Sequence, residues 1–332
     1  MSRPLAPSLF QDWAFNPSEK TSDLGVDLFV QVPAGWRLAS GEALPDPVFQ
    51  ARLYGPADAP LVIVAGGISA SRLVWSPEGS GWWGEVVAPG AGVDLNRRRV
   101  LAFDFAPLKD AGLAITTDDQ ARLVELALDA LGVETAHAFV GASYGGMVGL
   151  ALAARAPRRL ERLCVISAAH RPSAMGQAWR GVQRRVFELA RDAGRAEEGL
   201  ALARELAMTT YRSAEEFDAR FDRALDAEGL SEIDHYLIAR GRAYPKAMAP
   251  ERWWSLSRSI DSHAVEPEAV TVPTTLIAST SDRLTPLSDM AELASRLPDL
   301  IRFAEIRSLY GHDAFLKDAA ALNPLLKACL DA

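Results

Sequence analysis

Apolar residues in this chain gather into short unbroken runs, and the stretches between the runs have helical period. Leu61-Val62-Ile63-Val64-Ala65 is the first such run, and it ends in Gly66-Gly67. A strand covered on both faces of a parallel sheet reads this way, because neither face calls for polar residues. Residues 100–103, 138–140, 163–167, 274–278 and 301–306 repeat the pattern. Between them, 118–131 carries Leu123, Leu126, Leu128 and Leu131, and helices are also expected over 143–154, 287–297 and 314–330. Strands alternating with helices predict an α/β protein with a mostly parallel, doubly wound sheet.

The alternation stops between about 171 and 268, where Arg, Glu and Ala dominate. Helices are expected there at 178–190, 197–209, 214–225, 233–240 and 251–260. The simplest account is a helical cap, 171–268, inserted into a core made of 1–170 and 269–332. Residues 1–46 read as an N-terminal extension with edge strands such as 27–32, followed by an alternating strand at 48–54. The arginine clusters at 155–162 and at Arg180, Arg184 and Arg185 read as solvated helix faces.

With 332 residues, 49% of them apolar and 23% charged, the chain has ample material for a buried core. The net charge of −8 argues against nucleic acid and against a polybasic membrane patch. Cys164 and Cys329 are too few for a disulfide framework, which suits a reducing cytoplasm. The first residues lack the apolar core of a signal peptide, and no apolar run approaches the ~20 residues of a membrane span.

Candidate chemistry centres on Gly141-Ala142-Ser143-Tyr144-Gly145-Gly146. It follows a strand-like run and opens a helix, the setting in which G-x-S-x-G forms a nucleophile elbow. Ser143 is the candidate nucleophile, and the helix N-terminus behind it favours a developing oxyanion. In elbow proteins the acid and the histidine follow the serine in chain order. Of the five histidines, only His312 lies beyond the last strands, in the loop before the closing helix. His137 and His235 read as structural or surface residues, and His170 is a weaker candidate for the substrate side, ahead of His263. Asp282, just after the strand at 274–278, is the candidate orienting acid, and Asp104 is its competitor.

An oxyanion hole needs two backbone N–H donors. Tyr144 supplies one, and Gly67 or Ile68, in the loop after the first buried strand, supplies the other. Together these groups predict acyl transfer through an acyl-serine. Spacing does not decide whether water or an alcohol accepts the acyl group.

Four segments resemble the MetX-type homoserine O-acyltransferases, enzymes of the α/β-hydrolase fold. They are Gly81-Trp82-Trp83 with Val93-Asp94-Leu95-Asn96-Arg97, the elbow itself, Thr210-Tyr211-Arg212-Ser213 with Glu216-Phe217 and Phe221, and Gly311-His312-Asp313-Ala314-Phe315-Leu316. The resemblance runs from about residue 60 to the C-terminus. It implies acyl transfer from acyl-CoA to the hydroxyl of L-homoserine, with Ser143, Asp282 and His312 as nucleophile, acid and base. It implies that Arg212 and Asp313 contact the amino-acid acceptor. The chemistry agrees, since a carboxylate suits guanidinium and an ammonium suits a carboxylate. Without the resemblance, Arg212 reads as a surface helix residue and Asp313 as a helix N-cap. The resemblance further implies a homodimer, and it implies no cofactor or metal beyond acyl-CoA as a substrate.

The chain departs from the family pattern near the acyl pocket. Gly66-Gly67-Ile68-Ser69-Ala70 stands where the family usually has His-Ala-Leu-Thr-Gly, Arg283 replaces a common aromatic, and the chain is shorter. The pattern is similar to a short proteobacterial branch assigned to succinyl-CoA, so a succinyl donor is expected ahead of acetyl. Arg283 could pair with a succinyl carboxylate, whereas Leu284 could mark a smaller acetyl pocket. Serine as acceptor, a plain esterase or peptidase, and a non-catalytic binder on the same fold are the rival expectations.

Overall fold

The computed structural model describes residues 25–332. The expected N-terminal extension therefore lies partly outside the described residues. Its edge strand appears as β1 (Gly25–Gln31), two residues ahead of the predicted start, followed by β2 (Val48–Tyr54) and β3 (Leu61–Ala65). Two short strands, β4 (Val87–Ala88) and β5 (Val93–Asp94), pair with each other. Then come β6 (Arg99–Phe103), α1 (Thr117–Ala130), β7 (Ala138–Ala142), α2 (Tyr144–Arg155) and β8 (Leu163–Ile166).

Five helices follow without an intervening strand: α3 (Ala174–Asp192), α4 (Ala196–Tyr211), α5 (Ala214–Arg220), α6 (Glu232–Ala243) and α7 (Pro250–Asp261). The sheet resumes at β9 (Thr274–Ser279), then α8 (Leu287–Arg296), β10 (Leu300–Ile306), α9 (Ala314–Lys317) and α10 (Ala319–Leu330).

The main sheet has eight strands in the order β1-β2-β6-β3-β7-β8-β9-β10. The β1–β2 and β2–β6 pairings are antiparallel, and the remainder are parallel. Four of the apolar runs are buried on both faces, since every residue of β3, β7, β8 and β9 is buried, but the run at 301–306 is not: β10 is an edge strand, and Ile301, Arg302 and Glu305 are exposed. Alternation along a strand sends neighbouring side chains to opposite layers. Ile63, Leu101 and Phe139 pack with Leu123, Leu150 and Met290 on one face, while Val62, Val64 and Val140 pack with Trp83, Leu322 and Leu326 on the other. Phe187, Leu200 and Trp253 of the five-helix segment join the first layer. No helix among the described residues is long and apolar enough to cross a membrane.

Three further expectations need correction. The helix predicted over 214–225 ends at Arg220, because Phe221 turns extended (φ −115°, ψ 133°) and a short bridge pairs Leu225 with Ser231. The closing helix is not continuous over 314–330. Asp318 (φ −111°, ψ 55°) interrupts it, and its carboxylate accepts the Ala321 N–H to start α10. An Asp side chain that caps the next turn competes with helix continuation. Arg180 and Arg184 do not form a solvated face. They turn inward onto Asp261, with Arg180 Nε at 2.7 Å and an Arg184 Nη at 2.6 Å from its carboxylate oxygens.

Candidate active site

Ser143 stands between β7 and α2 with φ 53° and ψ −123°, a backbone state that a non-glycine residue adopts only under constraint. Close packing supplies that constraint. A Cβ on Gly145 would fall 2.4 Å from the Ala65 carbonyl oxygen, and one on Gly141 would fall 2.4 Å from the Gly145 carbonyl oxygen. The elbow therefore closes only with glycine at both positions. The Gly145 N–H donates to Gly66 O at 2.8 Å and ties the loop after β3 to the first turn of α2. The Tyr144 N–H, first in α2, has no acceptor within its own helix. The Tyr144 ring is buried edge-on against Phe105 at 4.8 Å, and its hydroxyl lies 2.8 Å from Ser259 Oγ on α7. Burial pushes that phenol well above its ordinary pKa.

His312 Nε2 lies 2.8 Å from Ser143 Oγ, and its Nδ1 lies 2.7 Å from Asp282 Oδ2. A carboxylate only accepts, so Nδ1 carries the proton and Nε2 is left to accept from the serine hydroxyl. The other oxygen of Asp282 accepts the backbone N–H groups of Leu284 and Thr285, both at 2.9 Å. The carboxylate is thus held by its own turn and by the imidazole. Burial disfavours the imidazolium, but the Asp282 charge and hydrogen bond outweigh it, so the His312 pKa is raised. Phe315 packs edge-on to the imidazole at 5.7 Å, and its ring lies 3.9 Å from where a Cβ on Gly67 would stand. The loop carrying Gly67 and Ile68 therefore faces the histidine loop across Ser143.

Trp83 holds this loop from behind, its Nε1 donating to Phe315 O at 2.6 Å, and Trp82 stacks on Trp83. Gly311 has φ +59°, and a Cβ there would meet the Tyr211 carbonyl oxygen at 2.7 Å. The Ser213 hydroxyl donates to Leu309 O. The histidine loop is thereby clasped to the end of α4.

Arg212 sits at that end and is 4% exposed, which corrects the surface-helix expectation. Its Nη1 donates to Glu216 Oε1 at 2.9 Å, and its Nε lies 3.6 Å from Asp313 Oδ2. Lys317 Nζ also donates to Glu216 Oε1, at 2.9 Å. Asp313 makes no capping hydrogen bond for α9, so its carboxylate turns to Arg212 instead of serving as an N-cap. Burial raises the Asp313 pKa against the opposing pull of Arg212 and Lys317.

The remaining candidates lie elsewhere. Asp104 accepts from the backbone N–H and guanidinium of Arg72. His137 contacts Glu161 and Leu330 O, and His235 contacts Asp226. His263 is buried beside Thr117, 2.8 Å away, and burial pushes its pKa down to about 3. His170 is buried, 3.4 Å from Glu292. Leu284 is buried, whereas Arg283 is exposed. Arg283 lies 5.7 Å over the Trp179 ring and lines an outer groove of about 520 Å³ with Asp282, Ser213 and Leu309. Among the described residues no group of three or more His, Cys, Asp or Glu side chains is placed to hold a metal ion.

Sequence reasoning assigned no role to Tyr211, whose ring lies 6.2 Å from that of His312, to Lys317, or to Arg204 and Tyr244. One signal was available. Arg204 and Tyr211 are seven residues apart and so share a helix face.

The chain matches the α/β hydrolase fold family over residues 60–319. It is 41% identical over 287 residues to a homoserine O-succinyltransferase of Xanthomonas campestris pv. campestris, covering 84% of this chain and 77% of that protein. It is 28% identical over 301 residues to a homoserine O-acetyltransferase of Geotalea daltonii, covering 78% and 82% respectively. Among solved structures, esterase E22 superposes with a TM-score of 0.82 at 16% identity, covering 92% of this chain and 100% of that one. That likeness shows the shared fold. On the family match and the 41% relative together, the chain belongs to the homoserine O-acyltransferases of the α/β hydrolase fold.

Proposed function

We propose that the protein transfers an acyl group, succinyl in preference to acetyl, from acyl-CoA to the hydroxyl of L-homoserine, a step of methionine biosynthesis. The observation that carries this reading is that one loop joins both halves of the chemistry. His312 reaches Ser143, and its chain neighbour Asp313 reaches Arg212. The succinyl preference follows the 41% identical relative.

His312 accepts the Ser143 proton as Oγ attacks the thioester carbonyl. The Tyr144 N–H and an N–H of Gly67 or Ile68 stabilise the oxyanion. The C–S bond breaks, the protonated imidazole supplies the proton to CoA, and an acyl-serine remains. Homoserine then binds with its ammonium toward Asp313 and its carboxylate toward the cationic groups beside it. His312 removes the hydroxyl proton, the alkoxide attacks the acyl-serine, and Ser143 recovers its proton from His312. The five-helix segment restricts water, which would otherwise take the acyl group. Acyl-CoA enters as a substrate, so the reading calls for no bound cofactor. It also keeps the expectations of a homodimer and a cytoplasmic setting. Arg283, on the outer groove, and Leu284, buried behind Asp282, remain the proposed donor-selecting positions.

The test is CoA release from succinyl-CoA and acetyl-CoA, with and without homoserine. Release that requires homoserine and yields O-acyl-homoserine supports transfer. Steady release that ignores homoserine marks a hydrolase and overturns it.

A further inference from the structure

Arg204 projects from the same face of α4 as Tyr211. Its guanidinium carbon lies 5.4 Å from the Tyr211 ring centroid and 4.6 Å from that of Tyr244. Both rings stand near groups of the catalytic site. The Tyr211 centroid is 6.2 Å from that of His312, and the Tyr244 hydroxyl is 2.9 Å from Ser69 Oγ, next to Ile68 in the oxyanion loop. Arg204 is therefore held between the histidine side and the oxyanion-loop side of Ser143, and Asp313 contributes to its electrostatic surroundings.

Among the described residues, Arg212 pairs with Glu216 and Asp313, and Lys317 pairs with Glu216. Arg204 adds a further positive charge and, among the described residues, makes neither a hydrogen bond nor an ion pair. Its two aromatic neighbours meet it only through the faces of their rings, as cation–π partners. They leave the planar fork of N–H donors unused, and that fork suits a carboxylate. Tyr211 and Tyr244 fix the guanidinium plane, so a carboxylate meets a donor that is already positioned.

We propose that Arg204 docks a substrate carboxylate beside the catalytic groups. This rests on the acyltransferase reading, in which two substrates carry one: the distal carboxylate of a succinyl donor and the α-carboxylate of the amino-acid acceptor. Guanidinium–carboxylate pairing is common to both. Arg283, the position expected from sequence to meet a succinyl carboxylate, is exposed on the outer groove, whereas Arg204 is half-buried beside two tyrosine rings.

The experiment compares wild type with Arg204→Leu and Arg204→Lys, each first checked for an unchanged melting temperature. Acyl-enzyme formation is followed with succinyl-CoA and with acetyl-CoA. Deacylation is followed with homoserine and with 3-aminopropan-1-ol, which lacks the carboxylate. The expected result is a loss of about tenfold or more in Arg204→Leu, confined to the carboxylate-bearing member of one pair and partly restored by lysine. A loss in the succinyl arm assigns the donor, and a loss in the homoserine arm assigns the acceptor. Unchanged rates in every arm, or equal loss with and without the carboxylate, would overturn the proposal. Equilibrium binding of succinate and of homoserine to Ser143→Ala, with and without Arg204→Leu, reads the same contact without turnover. Equal affinity in the two backgrounds overturns it as well. If wild type proves to hydrolyse acyl-CoA without transfer, the functional reading fails, while the succinyl and binding arms still judge Arg204.

Discussion

Asp313 Oδ2 lies 3.6 Å from Arg212 Nε, across the seam between the histidine loop and the end of α4. The pair joins a residue adjacent to the base, His312, to a helix that comes from a different part of the chain. Acceptor recognition and proton transfer are thereby coupled through one backbone segment. Four expectations follow from this arrangement.

Ser143→Ala removes the attacking oxygen and little else, since the elbow is shaped by its glycines. Both half-reactions disappear while the melting temperature stays within a few degrees of wild type. Mass spectrometry after mixing with succinyl-CoA then detects no acyl adduct. An adduct on the variant would show that the nucleophile is another residue.

Arg212→Ala leaves acyl-enzyme formation intact and lowers homoserine turnover by roughly 10²-fold, if its role is to position the acceptor. It also leaves Asp313 buried beside one fewer cation. Breaking a buried pair costs about 3–5 kcal/mol, so urea unfolding accompanies the kinetics. Equal loss in the two half-reactions contradicts the assignment.

The raised His312 pKa acts in opposite senses on stability and on rate. Its folded value exceeds the unfolded value of about 6.5. The charged form therefore stabilises the fold fully below about pH 6.5, and this contribution is lost as pH rises through the folded pKa. Catalysis needs the neutral base, so the acylation rate rises through the same interval and its acid limb lies above about pH 6.5. Asp282→Asn removes the charge that lifts the imidazole. It moves the limb to lower pH and lowers the rate by about 10⁴, as loss of the orienting acid does elsewhere. A limb that stays in place in this variant would separate Asp282 from His312.

Gly311→Ala forces an L side chain into positive φ, 2.7 Å from the Tyr211 carbonyl oxygen. Strain of this kind costs about 1–3 kcal/mol, and it falls on the clasp that sets His312 and Arg212 together. Denaturant unfolding of this variant and of Gly35→Ala provides the comparison. At Gly35 a Cβ meets nothing within 4 Å, so stability stays within about 0.5 kcal/mol of wild type. Equal stability of the two variants would remove the clasp from the argument.

Much of the architecture was legible because burial on both faces leaves an unbroken apolar run, which local composition reveals. The runs at 61–65 and 274–278 became β3 and β9 with ends shifted by at most one residue. The elbow was legible for a related reason, since its glycines are local requirements of one turn. The interruption at Asp318 was missed because Ala314-Phe315-Leu316-Lys317 and Ala319-Ala320-Ala321-Leu322 are both strong helix formers. The break depends on which backbone N–H the aspartate accepts, and that is settled only on folding. The arginines at 180 and 184 were misread because their partner, Asp261, lies about 80 residues away.

Residue order alone determined the alternation of strand and helix, the place of the inserted helices, and the serine, aspartate and histidine that line up along the edge of the sheet. All of these follow from periodicity and from turns a few residues long. Only the tertiary structure decided that Arg212 is neutralised on two sides, that Arg204 has no ion pair with a carboxylate among the described residues, and that Arg283 faces outward. Ion pairing and exposure depend on what arrives from distant parts of the chain, and a charged side chain carries no mark of its partner until packing has set the distances.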